Sequence, residues 1–387
     1  MERPWNDSAP SFRGLGKYSV DAKPPPARNL PEISLDSAQL HRYAHGMPAP
    51  RPTDDTRPAV SVVMSVFNGL PYLEDAARSI MGQSLRDIEI ILVDDASTDA
   101  TPEVLARLAA EDARIRLHRM PQNGGISKAL NAGVALARAP LIARMDADDI
   151  ALPDRLARQK AVMDADPGLV LLGTSIIQIG PDGAILRTSL RPRDHVGLCW
   201  LSLFHTPFNH PSMMLRATPE IRPHLIYDSA MEPAEDFDLF SRLLALGPGR
   251  NMGEALLKYR VHPAQISTAA YRRQIETIAR ISRRMQAETL PPDIAAALAP
   301  LNAAYLDFQP TPPREVFAAM RALIRHSAAA HPGHRRFFRR HGAQIVATAL
   351  IRSGHRKTRL PGLFAAQGRD FLVPLAGRFL ETRGLAG

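Results

Sequence analysis

Three acidic clusters in this sequence each follow or open an apolar run, the setting in which a carboxylate does chemistry rather than only face water. The first is Val93-Asp94-Asp95-Ala96-Ser97-Thr98-Asp99. A carboxylate at a strand end can accept the N3–H of a uracil or a ribose hydroxyl, and Asp95 is assigned that role. Asp94 is assigned to bracing the loop, and Ser97 and Asp99 to helix capping, which Ser and Asp do routinely. The second is Asp146-Ala147-Asp148-Asp149. Alternating carboxylates just past a strand can hold one hard divalent cation, Mg²⁺ or Mn²⁺, shared with substrate phosphates. The competing reading is an acidic start for the helix that runs toward Arg158, and Asp149 fits it. The third is Ala234-Glu235-Asp236-Phe237-Asp238-Leu239-Phe240. Phe237, Phe240 and Leu244 share one helical face, which puts Asp236 at a helix start where the dipole favours an ionised carboxylate. An ionised carboxylate facing a cleft can act as a general base; an acidic first turn accounts for the same spacing.

Cations follow in Leu257-Lys258-Tyr259-Arg260-Val261-His262. Lys258 and Arg260 can meet phosphates, and His262 can ligate a metal or touch a diphosphate. His210, in Phe208-Asn209-His210-Pro211-Ser212, fits a functional or a structural role equally well.

Several elements must position these groups. Residues 60–67 form a β-branched apolar run bounded by Pro58 and Asn68-Gly69, hence a buried strand. Residues 89–93 form a second strand, 115–118 a short third and 140–145 a fourth, with helices expected over 71–83, 98–110 and 126–137. Alternating strands and helices give an α/β fold with a mostly parallel central sheet. Open sheets of this kind bind ligands beyond the carboxyl ends of their strands. The first two acidic clusters fall at such ends. From Tyr271 onward the pattern is helical, with helices expected over 275–285, 314–330 and 335–351.

The chain has 387 residues and a formal net charge of +9. Residues 271–387 alone carry +12, so the rest is slightly acidic, at −3. The basicity therefore lies away from the acidic clusters, which argues against a nucleic-acid-binding protein. Cys199 is the only cysteine, which excludes an internal disulfide and a cysteine-based zinc site. Residues 1–57 are Pro-rich, with a Pro24-Pro25-Pro26 run, and are expected to be poorly ordered. No signal peptide and no apolar segment of about 18–20 residues is evident. A cytoplasmic location is expected, free or peripheral at the inner face of the membrane. His334-Arg-Arg-Phe-Phe-Arg-Arg340 interleaves aromatics with cations. It reads as a contact for an anionic membrane surface or as a solvated helical face, and Pro310, Pro312 and Pro313 suggest a hinge before it.

Taken in order, Ser61-Val-Val-Met-Ser-Val-Phe-Asn68-Gly69, Gln83-Ser84-Leu85, Val93 to Asp99, Gly125-Ile-Ser-Lys-Ala-Leu-Asn131-Ala-Gly133, Met145 to Asp149, Glu235-Asp236 and Tyr259-Arg-Val-His262 resemble the family-2 inverting glycosyltransferases of the bacterial surface-polysaccharide type. The resemblance spans roughly residues 60–267. It implies the GT-A nucleotide-sugar-binding fold over 58–270, followed by a basic helical region over 271–387. It also implies a metal-dependent hexosyltransferase that moves a sugar from a nucleotide-diphosphate donor, UDP by family weight, onto a glycan or lipid-linked acceptor. Ser65 and Asp95 match the nucleoside pocket, Asp146 and Asp148 the metal motif with Asp148 the direct ligand, Asp236 the catalytic base, and His262 a position at the diphosphate or metal. Lys128, Asn131 and Arg260 complete the expected donor side, and Glu235 and His210 the acceptor side. The sequence departs from the family pattern at Leu130, where relatives carry Arg, with Lys128 as a substitute cation, and at Ser65 and Phe67, where Pro and Tyr are usual. Two other classes fit parts of the pattern: a sugar-phosphate nucleotidyltransferase, which lacks support because no Gly-rich phosphate loop is present, and a non-catalytic nucleotide-sugar-binding scaffold.

Overall fold

A computed structural model describes residues 57–263, 265, 270–355, 360 and 363. Apart from its last position, the Pro-rich leader expected over 1–57 lies outside the described residues. Strand β1 (Val60–Val66) is buried at every position except Ser65, as its unbroken apolar run requires. Strands β2 (Ile88–Asp94) and β4 (Leu141–Asp146) flank it in parallel, and β3 (Ile115–Arg119) lies beyond β2. The register sets Ser65 beside Asp146 and Val66 beside Asp94. One strand-end line thus carries the first two acidic clusters. Helices α1 (Leu73–Met81), α2 (Thr101–Glu111) and α3 (Ile126–Leu136) make the crossovers. Helix α3 packs on β1 closely enough that a Cβ on Gly133 would lie 2.4 Å from Val63 Cγ1. Any side chain there would hold the helix off the sheet.

The other half of the sheet mixes directions. Strand β8 (Met214–Arg216) runs antiparallel to both β4 and β6 (Leu171–Ile179). Strand β9 (Gly249–Arg260) lies parallel to β6, while β5 (Ile150–Ala151) pairs antiparallel with the end of β9. Strand β7 (Ile185–Ser189) forms a hairpin with β6. The longer registers are the parallel ones, and the order is β3-β2-β1-β4-β8-β6-β9-β5. Strands β6 to β9 are not anticipated by the sequence patterns. Along β6, Thr174 pairs with Met252, Ser175 with Ala255 and Ile176 with Leu257, so Gly253, Glu254 and Leu256 are extra in β9 and its two-residue alternation breaks.

Helices α4 (Arg155–Ala165), α5 (His195–Leu201) and α6 (Glu235–Leu244) pack around this half. Five more helices complete the described chain: α7 (Tyr271–Thr289), α8 (Pro292–Ala297), α9 (Ala299–Tyr305), α10 (Pro313–Ala330) and α11 (Arg335–Arg352). They share one apolar core with α5 and the residues after it, in which Trp200 and Phe204 meet Leu301, Phe317, Leu323 and Phe338. The aromatics of 334–340 are part of that core: the Trp200 ring centroid lies 6.2 Å from that of Phe337 and 5.6 Å from that of Phe338. Arg335, Arg336 and Arg340 are exposed instead. The aromatic–cation alternation is thus an amphipathic helix, and its rings are not presented to a membrane. Among the described residues no helix is long and apolar enough to cross one.

Candidate active site

The carboxyl ends of β1, β2 and β4 open onto a cleft of about 1060 Å³. Ser65, Asp95, Asp146, Asp148 and His262 line it, and so do Glu235, Asp236, His210, Arg191 and, from α7, Arg273. Six carboxylates face this space, those of Asp95, Asp146, Asp148, Glu232, Glu235 and Asp236, against two arginines.

The acid loop after β4 gathers Asp146, Asp148 and Asp149, with one carboxylate oxygen of each within 4.8 Å of the others. Arg144, buried in β4, pairs with Asp146 at 2.5 Å. His262 Nε2 lies 3.0 Å from Asp148 Oδ2, and the His262 ring leans on Tyr72 at 5.2 Å. Asp149 is fully buried. Its Oδ1 accepts the Arg260 N–H at 2.8 Å, and its Oδ2 has no hydrogen-bond partner in the protein. Burial holds Asp146 and Asp149 above the usual carboxylate range, and their acidic neighbours add to it. The reading of Asp149 as a helix-start acid is corrected: α4 begins only at Arg155, and Asp149 ties the loop to β9. Arg260, expected at the phosphates, is also corrected. Its Nε donates to the Asp148 carbonyl at 2.9 Å and its Nη1 to the Pro181 carbonyl at 3.0 Å, while its guanidinium stacks on Tyr72. It is buried as the frame of the acid loop and does not line the cleft.

Past the end of β2, both oxygens of Asp95 are engaged, accepting the N–H groups of Gly124 at 2.8 Å and Gly125 at 2.9 Å. Glu232 Oε1 accepts the Ser127 N–H at 2.9 Å. These two carboxylates occupy the donor groups at the start of α3, which would otherwise form an anion site. Gly125 has φ of +87°, and a Cβ there would sit 3.2 Å from the Glu232 carboxylate, so the turn depends on glycine. Asp94 braces the loop as expected, taking the Ser97 N–H at 2.9 Å. Two expected donor contacts do not reach the cleft. Lys128 is exposed and outside its lining. The Asn131 amide is consumed by the Tyr227 backbone, donating to its carbonyl and accepting its N–H, both at 2.8 Å.

The start of α6 also lines the cleft. Asp236 Oδ1 accepts the Phe237 N–H at 2.7 Å, yet burial raises its pKa to about 6. The helix dipole thus offsets only part of the burial at Asp236. Burial, with the Asp236 charge beside it, raises Glu235 to about 8, and its Oε2 has no hydrogen-bond partner. At neutral pH the pair therefore splits, Asp236 mostly ionised and Glu235 holding its proton. His210 is pushed well below its ordinary pKa by burial and by Arg144. Its Nε2 lies 3.0 Å from the Tyr227 hydroxyl and 3.3 Å from Arg144 Nε, so it supports Arg144 while still lining the cleft.

Sequence reasoning missed Arg144, Arg191, Glu232 and Arg273. Only Arg144 left a signal, a lone charge inside the apolar run of β4; Arg191 and Glu232 come from segments with no periodic pattern, and the helical period around Arg273 does not point to the cleft.

The family model for glycosyl transferase family 2 matches residues 61–218. Over 234 residues the chain is 30% identical to an uncharacterized glycosyltransferase of Haemophilus influenzae, covering 58% of this chain and 72% of that protein. It is 30% identical over 218 residues to the O-antigen biosynthesis glycosyltransferase WbnJ of Escherichia coli, covering 55% and 84%. The crystal structure of S. aureus TarS 1–349 in complex with UDP-GlcNAc superposes with a TM-score of 0.52 at 16% identity, covering 76% of this chain and 92% of that one. The fold is the expected GT-A arrangement, and the chain belongs to glycosyl transferase family 2.

Proposed function

We propose that the protein transfers a sugar from a nucleotide-diphosphate donor, UDP-linked, to an acceptor hydroxyl with inversion at the anomeric carbon. The observation that carries this reading is that the acid loop and Asp236 line one cleft. A diphosphate entering a space with so many carboxylates needs a countercharge, and the oxygen donors of Asp146, Asp148 and Asp149 suit a hard cation. When bound there, Mn²⁺ or Mg²⁺ would neutralise the charge that grows on the departing diphosphate. His262 orients Asp148, Arg144 fixes Asp146, and Arg260 holds the loop backbone. Ser65 and Asp95 border the nucleoside end. Asp236 takes the proton of the acceptor hydroxyl as its oxygen attacks the anomeric carbon, a single displacement that inverts configuration. Glu235, neutral at pH 7, can donate a hydrogen bond to the acceptor.

The likeness to WbnJ supports a surface-glycan acceptor, assembled by a cytoplasmic protein that reaches lipid-linked substrates at the membrane face. In domain terms, 58–270 would be the catalytic domain and 271–387 a helical region that also contributes Arg273 to the cleft. A nucleotide-sugar panel titrated by calorimetry with Mn²⁺, Mg²⁺ or EDTA tests the donor half. One donor should bind only with metal, and Asp148→Ala should abolish that binding while the protein stays folded. Equal binding in EDTA would remove the metal from the reading, and binding of no nucleotide sugar would remove the reading itself. Tight donor binding without turnover on any acceptor would favour the scaffold alternative.

A further inference from the structure

A second cavity, of about 280 Å³, lies between the 190–192 segment and helix α11. Its polar lining comes from Arg191, Arg340, His205, His341, Gln344 and Thr348, and no carboxylate is among the described residues that line it. This contrasts with the acid-rich cleft next door. Arg191 lines both spaces and feels the Asp236 charge. It is held in place rather than loose: its Nη2 and Nε donate to Asn209 Oδ1 at 2.8 and 3.1 Å. The segment behind it is pinned by Asn251, whose Nδ2 donates to the Pro192 carbonyl at 2.9 Å and whose N–H donates to the Arg193 carbonyl at 3.1 Å. Burial, with Arg191, His341 and Arg352 nearby, holds His205 down at about 4, so the pocket's positive charge comes from its two arginines.

We infer that this side pocket is an anion-binding acceptor subsite, taking a phosphate or carboxylate carried on a sugar of the acceptor glycan. Two guanidiniums without a lining acid provide the charge-assisted donors for an oxyanion. The Gln344 and Thr348 side chains offer hydrogen bonds to ring hydroxyls, and the volume suits one sugar unit. Because Arg191 is shared, a sugar anchored there leaves its neighbour in the cleft, near Asp236. The subsite reading rests on the proposed transferase function, and the experiment separates the two.

Full-length protein in EDTA is titrated calorimetrically with glucose 1-phosphate, glucuronate and glucose, as wild type, Arg340→Glu and Arg336→Glu. Arg340 lines the side pocket and not the cleft, and Arg336 is an exposed arginine of the same helix outside both. At least one anionic sugar should bind about tenfold or more tightly than glucose. Which one wins identifies phosphate or carboxylate as the ligand group. Arg340→Glu should erase the preference and Arg336→Glu should keep it. No preference for either anion, or equal loss in both variants, overturns the subsite. Nucleotide-sugar binding with Mn²⁺ is read on the same samples: its absence, with anion preference intact, would sink the transferase reading and leave the pocket standing.

Discussion

On the wall built by β1, β2 and β4, the carboxylates of Asp94, Asp95 and Asp149 accept backbone N–H groups, and Asp146 is paired with Arg144. At the start of α6, a second wall of the same cleft, Glu235 leaves one oxygen with no partner, and Asp236 accepts the N–H of the next residue while burial still raises its pKa. Both walls are buried, so what separates them is how far the surroundings compensate the charge. The first wall uses its acids to hold loops and, at the acid loop, to present oxygens. The second keeps two carboxylates poorly compensated, which is how a group is poised to exchange a proton near neutral pH. In the proposed transferase reading, the first wall would hold the donor and the second would serve proton chemistry at the acceptor.

The largest effect should come from the second wall. Asp236→Asn keeps the shape but removes the base, and turnover should fall about a hundred- to ten-thousand-fold. Metal-dependent donor binding, measured by calorimetry, should be nearly unchanged. If donor binding falls as steeply as turnover, the division between the walls is wrong. On the first wall, Arg144→Met should cost about 3–5 kcal/mol of stability, because it strands Asp146 next to Asp148 and Asp149 without its buried partner. Chemical denaturation measures this. A loss under about 1 kcal/mol would mean that Asp146 sheds its charge at little cost, and that the pair does not hold the loop.

The walls also differ in how much of them can be read from sequence. The first is built from β-branched runs that end at Asp94 and Asp146, and parallel pairing forces those ends into line. Residue type and position together therefore lead to Ser65, Asp95, Asp146 and Asp148, which line one cleft. The roles of Lys128, Asn131 and Arg260 were less legible, because type does not say which way a side chain turns or whether a backbone group has already claimed it. Asn131 has the chemistry of a ligand contact, but the Tyr227 backbone, 96 residues away, takes both ends of its amide. The second wall is assembled from the start of α6, β9 with its register shifts, short 3₁₀ turns and the start of α7. The helical periods there do not say which elements meet, so Arg191, Glu232 and Arg273 come together only through tertiary packing. The raised pKa of Asp236 was not legible for a related reason: the dipole is a local property, whereas desolvation depends on everything packed around the site.

The pH profile gives a smaller effect on the same contrast. The proposed base role needs Asp236 ionised, and its pKa is raised to about 6, so kcat/KM should fall tenfold per unit once pH drops below about 6. The sign follows from the base being lost on protonation. Glu235, raised to about 8, loses its donor proton above that pH, which should produce a second, alkaline limb. Glu235→Gln should remove the alkaline limb and leave the acid one. A limb centred near 4 would mean that Asp236 is compensated like the acids across the cleft.

The smallest effect probes Glu232, which belongs to the first wall by its bond and to the second by its place in the chain. Its carboxylate accepts the Ser127 N–H at the start of α3, where an anion also complements the helix dipole. Losing such a cap costs about 1 kcal/mol. Glu232→Ala should therefore lower stability by about that much, while Glu232→Gln, which keeps an acceptor but drops the charge, should lose only about half. Burial is the main cause of the raised Asp95 pKa, with Asp94 and Glu232 adding smaller contributions, so either variant should also let Asp95 titrate lower. Thermal unfolding at pH 7 and calorimetric donor binding separate the two roles. A cap changes the first and spares the second, because the N–H groups of Gly124 and Gly125 stay with Asp95. If stability holds and donor binding collapses, Glu232 faces the ligand, and the start of α3 belongs to the donor site rather than to its frame.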